Sequence, residues 1–162
     1  MHPLAIVQSL VLLTLANGAP VVAKKILGRR FAAPLDGGVR LFDGRPVFGP
    51  SKTVRGILLS VLATAAGAAL LGLGPGLGAL VAAAAMAGDL LSSFVKRRLA
   101  LVSSSRAVGL DQLPESLLPL WLCRDGLALA PLDIALGVAL FFVGEILLSR
   151  LLYKLHVRDE PY

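Results

Sequence analysis

Asp89 is a carboxylate set inside an apolar run, Ala-Met-Ala-Gly-Asp-Leu-Leu-Ser-Ser-Phe-Val-Lys-Arg-Arg at residues 85–98. An ionisable group in an apolar helix costs roughly 2.5–3.5 kcal/mol on insertion scales, so such a residue is a functional candidate by default. Ser92, Ser93 and Lys96 follow at offsets that place all four residues on one helical face. The stripe ends in Lys96, Arg97 and Arg98, which also have the form of a topogenic stop signal. Further on, Gly109-Leu110-Asp111-Gln112-Leu113-Pro114-Glu115-Ser116 puts Asp111 at the mouth of the next apolar run, with Glu115 one turn later. Carboxylates at one membrane depth repel each other unless a cation lies between them. A hard divalent ion held by carboxylates and phosphate oxygens is a common device of phosphoryl and nucleotidyl transfer. A helix cap accounts for Asp111 equally well.

A second group lies upstream, in Asp36-Gly37-Gly38, Asp43-Gly44-Arg45 and Phe48-Gly49-Pro50-Ser51-Lys52-Thr53-Val54-Arg55-Gly56. The last stretch loosely has the character of a phosphate-binding loop, with glycine, a Lys-Thr pair and then a helix start. It lacks the GxxxxGK[ST] spacing of a Walker A motif. Asp36 and Asp43 precede glycines, where turn formation is the ordinary role. Asn17 is a polar break before Pro20, suited to a ligand or to helix backbone freed by the proline. Glu145 and Ser149 stand one turn apart in a later apolar run, where function and interhelical bonding are both open.

The elements that must position these residues are membrane helices. Of 162 residues 56% are hydrophobic and only 16% charged, and the mean hydropathy is +0.80. A soluble domain carries about a quarter charged residues, so this chain is expected to be an all-α integral membrane protein forming a single domain over 1–162. Five apolar segments approach the roughly 20 residues that a bilayer requires, at about 3–23, 57–73, 76–95, 114–130 and 132–152. Lys24 and Lys25 follow the first segment and no basic residue precedes it, the reverse of signal-peptide order. With five transmembrane helices, fifteen of the sixteen Lys and Arg residues fall on one side, and Arg124 alone lies opposite. The N-terminus is therefore expected outside and the C-terminus in the cytoplasm, with loops 24–56 and 96–113 cytoplasmic. The net charge of +6 then reflects topology, and nucleic acid is not an expected partner. The single cysteine, Cys123, excludes an internal disulfide and a cysteine-based zinc site, and two histidines near the chain ends argue against a histidine-ligated metal. Any metal here must be a hard ion held by carboxylates, such as Mg²⁺.

The order of these motifs resembles the CDP-archaeol synthase family, relatives of the phosphatidate cytidylyltransferases. The resemblance runs through Ala-Asn-x-x-Pro at 16–20, Pro-Leu-Asp-Gly-Gly at 34–38 and Asp-Gly-Arg-x-x-Phe-Gly-x-x-Lys-Thr-x-Arg-Gly at 43–56. It continues through Gly-Asp-x-x-x-Ser-Phe-x-Lys-Arg-Arg at 88–98, Gly-Leu-Asp-Gln at 109–112 and Pro-Tyr at 161–162. It implies a membrane-embedded, Mg²⁺-dependent enzyme that transfers CMP from CTP to a membrane lipid phosphate, releasing pyrophosphate. The acceptor is an isoprenoid ether lipid phosphate or a diacyl phosphatidate, and a homodimer stays open. On this reading Asp89 and Asp111 hold the metal and, with Lys52 and Lys96, form the catalytic group. Ser51, Thr53, Arg55, Ser92, Ser93, Arg97, Asn17, Asp43 and Gln112 bind substrate, and the site faces the cytoplasm of a cell (inner) membrane. A transporter using Asp89 and Glu145 would need polar residues on the outer half of the third span, which is Ala, Gly, Leu and Val. A lipid-phosphate phosphatase usually needs a centrally placed His, and none exists.

Overall fold

A computed structural model describes residues 1–101, 107 and 109–154, without the side chain of Leu152. Arg106, Arg158 and the Pro161-Tyr162 ending lie outside the described residues. The described chain forms five helices: α1 (Pro3–Leu27), α2 (Val54–Leu70), α3 (Pro75–Arg98), α4 (Gln112–Leu122) and α5 (Pro131–Lys154). Proline opens α1, α3 and α5, where its missing N–H costs nothing. The Thr53 hydroxyl caps α2 by accepting the Gly56 amide at 3.1 Å. Lys24 and Lys25 close α1, and Lys96 to Arg98 close α3, each complementing the negative end of the helix dipole.

Among the described residues three helices are long and apolar enough to cross a membrane: α1, α3 and α5. The apolar α2 is shorter, with 17 residues. The expected fourth span, 114–130, is helical only through Leu122. Its 11 residues extend about 16 Å, roughly half of the ~30 Å hydrocarbon core. Arg124-Asp125-Gly126 follows, and the chain turns there with Ala128 at φ 54°.

The side-chain distribution is that of a bundle in lipid. Leu58, Leu62, Leu80, Leu132 and Leu147 all face outward, while Ser9, Ala16, Ser60, Thr64, Ala82 and Ala85 are buried between helices. Small residues inside allow close packing where there is no hydrophobic force between helices. Pro20 removes the N–H that would have bonded the Ala16 carbonyl, and the Ser60 hydroxyl of α2 donates to that carbonyl at 2.7 Å instead. Asn17, the sequence candidate for that duty, donates to Leu13 O at 3.1 Å.

Contacts sort the helix ends. His2 of α1's N-terminus donates its amide to Asp133 Oδ1 at 3.0 Å, and its ring nitrogen meets Oδ2 at 2.8 Å, so α1 and α5 start together. Gln8 reaches Leu71 O, beyond α2, at that same end. The end of α1, the start of α2, the end of α3 and the start of α4 gather at the other end, as the site contacts below show.

Gly88 is where α4 presses on α3. A Cβ there would stand 2.2 Å from the Pro114 carbonyl oxygen and 2.8 Å from the Glu115 amide nitrogen, both backbone. Gly88→Ala should therefore destabilise the protein by about 1–3 kcal/mol, lowering its thermal unfolding midpoint in detergent. Gly76→Ala, with nothing within 4 Å of its Cβ, should be neutral or mildly stabilising. Equal midpoints for the two variants would refute the close contact.

Candidate active site

The long connection 24–56 folds back along the bundle because three ties hold it. The first is a short antiparallel contact, with Leu35 N donating to Lys52 O at 2.8 Å and Val54 N to Ala33 O at 3.1 Å. The second is Asp36: its Oδ2 accepts the amides of Phe48 and Gly49 at 2.9 Å, and its Oδ1 accepts the Gly38 amide at 3.1 Å. Partial burial pushes this carboxyl upward, but the amides of Gly49, Phe48 and Gly38 outweigh it and hold its pKa below the ordinary carboxylate value. The third is Arg98, at the end of α3, which meets Asp43 at 2.8 Å and donates to Pro46 O at 2.6 Å. Arg45 returns the contact by donating to Arg98 O at 2.6 Å.

These ties carry Lys52 to the bundle. Its Nζ lies 2.6 Å from both oxygens of Asp89, and each side chain is about four-fifths enclosed. Nearby, Lys96 Nζ meets Asp111 Oδ1 at 2.7 Å. Asp111 also accepts the Ala107 amide at 3.1 Å, while the Gln112 carbonyl oxygen of the side chain accepts the Gly109 amide at 2.8 Å. Both ion pairs line one cavity of about 940 Å³, within the range of small-molecule sites.

The cavity runs along the bundle from Leu10, Leu140 and Phe141 to the basic end of α1. Leu10 and Lys24 lie fourteen residues apart on α1, about 21 Å along the axis. Of the sequence candidates, Asn17, Ser51, Lys52, Thr53, Arg55, Asp89, Ser93, Lys96, Arg97, Asp111 and Gln112 all line it. Ser92 and Asp43 do not: Ser92 is buried with its hydroxyl on Asp89 O at 2.9 Å, and Asp43 belongs to the Arg98 tie. Glu115 and Glu145 also line the cavity, Glu115 lying beside the Asp89 carboxyl. Lys24, Lys25 and Arg29 add further positive charge at the end of α1. Their only sequence signal was their position after an apolar run, which topology alone explains.

Seven Lys and Arg side chains against four carboxylates among the described lining residues favour an anionic ligand. Among the described residues no group of three or more His, Cys, Asp or Glu side chains could hold a metal by itself. The carboxylates of Asp89 and Asp111 are the donor type that Mg²⁺ takes, usually one or two together with substrate phosphates.

Comparison with known proteins gives a concordant result. A family profile described as CarS-like, CDP-archaeol synthase, matches residues 74–162. A CDP-archaeol synthase of Pyrobaculum calidifontis is 37% identical over 91% of this chain and 90% of its own length. That of Hyperthermus butylicus is 40% identical over 68% of this chain and 67% of its own. A solved structure of an intramembrane enzyme for archaeal membrane lipid biosynthesis superposes with a TM-score of 0.69 at 31% identity, covering 86% of this chain and 91% of that one.

The Asp36 tie has a pH signature. A carboxyl whose folded pKa lies below the unfolded 3.8 stabilises its loop fully above that value and loses the effect as pH falls through the folded one. Hydrogen exchange at Phe48 and Gly49, corrected for intrinsic rates, should stay protected from pH 7 down to about 4 and fall below it. In Asp36→Ala the protection should be gone throughout. Unchanged protection in that variant would remove the carboxylate from the tie.

Proposed function

Because the chain belongs to the CDP-archaeol synthase family, we propose that its cavity brings CTP and a lipid phosphate together at the Lys52–Asp89 and Lys96–Asp111 pairs. The protein is a membrane-embedded enzyme, a cytidylyltransferase that forms a CDP-lipid. The observation that carries the site assignment is convergence. Two carboxylate–lysine pairs from α3, the 24–56 connection and the mouth of α4 share one cavity that has a cationic end and an apolar end.

The acceptor we assign is an isoprenoid ether lipid phosphate, as the relatives' name indicates. Leu10, Leu140 and Phe141 offer its chains an apolar wall, and Lys96 and Arg97 offer its phosphate two cations at the opposite end. Lys52, with Ser51 and the start of α2, steadies the terminal phosphates of CTP, and Arg55 adds charge beside them. A lipid phosphate oxygen attacks the α-phosphorus in line. The new P–O bond forms as the bond to the β-phosphate oxygen breaks, and pyrophosphate leaves with that electron pair. A phosphate monoester is already nucleophilic near neutral pH, so alignment and charge neutralisation do most of the work. Asp89 and Asp111 would hold Mg²⁺, which neutralises phosphate charge when bound.

Purified protein incubated with α-labelled CTP, Mg²⁺ and a panel of lipid phosphates should yield a labelled CDP-lipid, preferring the isoprenoid ether acceptor over diacyl phosphatidate. Asp89→Asn, Asp111→Asn and Lys52→Met should each lower turnover by about 10²-fold or more while the protein still inserts and unfolds at a wild-type-like temperature. Near-normal turnover in the Asp variants would sink their assignment, and equal use of both acceptors would sink the lipid assignment.

We also assign five passes, the fourth made by α4 together with residues 123–130, which lead from the Lys96 end to the His2 end of the bundle, with the N-terminus outside, the site in the cytoplasm and the cell membrane as its location. The support is that Lys24, Lys25, Arg29, Lys52, Arg55, Lys96 and Arg97 line one cavity while Arg124 follows α4. In intact cells a membrane-impermeant maleimide should label Asp125→Cys, whose parent side chain is 95% exposed. Arg30→Cys should react only after permeabilisation, and the reverse pattern would invert the topology.

A further inference from the structure

The segment 39–47 is a small hairpin that the site does not use. Val47 N donates to Val39 O at 3.2 Å, Leu41 N to Arg45 O at 2.9 Å, and Gly44 N to Leu41 O at 2.8 Å. The last bond makes 41–44 a tight turn, with Gly44 at φ 71° closing it. Phe42 occupies the first corner of that turn and is 99% exposed. A fully bare phenylalanine at the corner of an ordered turn is a poor choice for water, since turn corners tolerate many smaller polar residues.

Two features say what covers it. First, height: the hairpin is not free to wave, because Arg98 grips Asp43 and the Pro46 carbonyl, and Arg45 grips the Arg98 carbonyl. Arg98 is the last residue of α3, a helix long and apolar enough to cross a membrane, so the clasp fixes the turn at the level where that helix leaves the hydrocarbon. Second, company: the same end of the bundle shows Phe31, 81% exposed and held at φ 56°, a conformation rare for a bulky residue. That segment is gripped in the same manner, by Arg55 near the start of α2, which donates to the carbonyls of Gly28 and Arg30. The exposed Arg30 directly precedes Phe31 in the chain, and the exposed Arg40 comes two residues before Phe42. Aromatic rings beside cations at a helix end match the headgroup layer of a bilayer, apolar below and anionic above.

We propose that Phe42 is an interfacial anchor that seats hairpin 39–47 in the headgroup layer of the bilayer around the bundle, with Phe31 as a second contact. The anchor adds a contact with lipid to the connection that delivers Lys52. It does not depend on which face of the membrane this end occupies.

Phe42→Trp in a Trp121→Phe background makes residue 42 the single tryptophan. In vesicles of phosphatidylcholine and phosphatidylglycerol its emission should be blue-shifted and shielded from iodide. Lipids brominated near the headgroup end of the acyl chain should remove most of it, and lipids brominated near the chain end should remove less. Water-like emission, quenched by iodide and untouched by bromolipid, overturns the proposal and leaves the ring to solvent or a soluble partner. As an independent probe, a nitroxide on Phe42→Cys, with Cys123 buried, should collide more with oxygen than with an aqueous nickel chelate. The opposite order overturns it equally.

Discussion

Asp89 and Lys52 meet at 2.6 Å across 37 residues of sequence, and most of what surrounds them exists to make that meeting possible. A carboxylate in an apolar helix is tolerated when a partner neutralises it and enough solvent or polar surface remains near. Here the partner comes from outside the helices. The connection between α1 and α2 must therefore be stiff, and it is stiffened with backbone bonds, the Asp36 carboxylate and the Arg98 clasp. Each is short in reach, and together they leave Lys52 little choice of position.

Small residues also shape the interior, set between larger buried side chains such as Leu12, Leu13 and Leu120. A cavity of about 940 Å³ in a bundle of only five helices needs its closed regions packed tightly. Gly88, Ala82 and Ala85 bring α3 against its neighbours on the sides turned from the cavity, while aliphatic side chains such as Leu58, Leu62 and Leu80 are left to the lipid. Where Pro20 breaks the α1 hydrogen-bond ladder, Ser60 mends it from α2. A lost carbonyl partner in hydrocarbon has no water to replace it.

Much of this was legible in the order of residues, for identifiable reasons. Long apolar runs identify α1, α3 and α5, because a bilayer demands length. Asp89 and Lys96 stand out because charge is expensive there, and their shared face follows from helical spacing. The end of α4 was harder: Leu127 to Ala130 resume an apolar pattern after Arg124-Asp125-Gly126, so a run of hydrophobicity hides a turn. The pairing of Lys52 with Asp89 was not readable at all, since it depends on where Asp36 anchors the connection. Asp36 has the form of an ordinary turn residue, and its second oxygen reaches amides twelve and thirteen residues away. Asp43 shows the opposite case. It belongs to a recognisable motif, yet its carboxylate goes to Arg98, outside the cavity.

Of the four lysines that line the cavity, Lys52 and Lys96 are already matched with carboxylates, so an anion that draws on either of them exchanges one partner for another. A phosphate that draws Lys52 from Asp89 leaves the carboxylate exposed in a poorly hydrated place, and something positive must replace the lysine. Binding of an anion and of its accompanying cation are then thermodynamically linked, each raising the affinity for the other by the same factor. At these two pairs a bare phosphate would disturb the balance and a neutralised one would keep it, so the resting ion pairs would select on the charge of what binds between them.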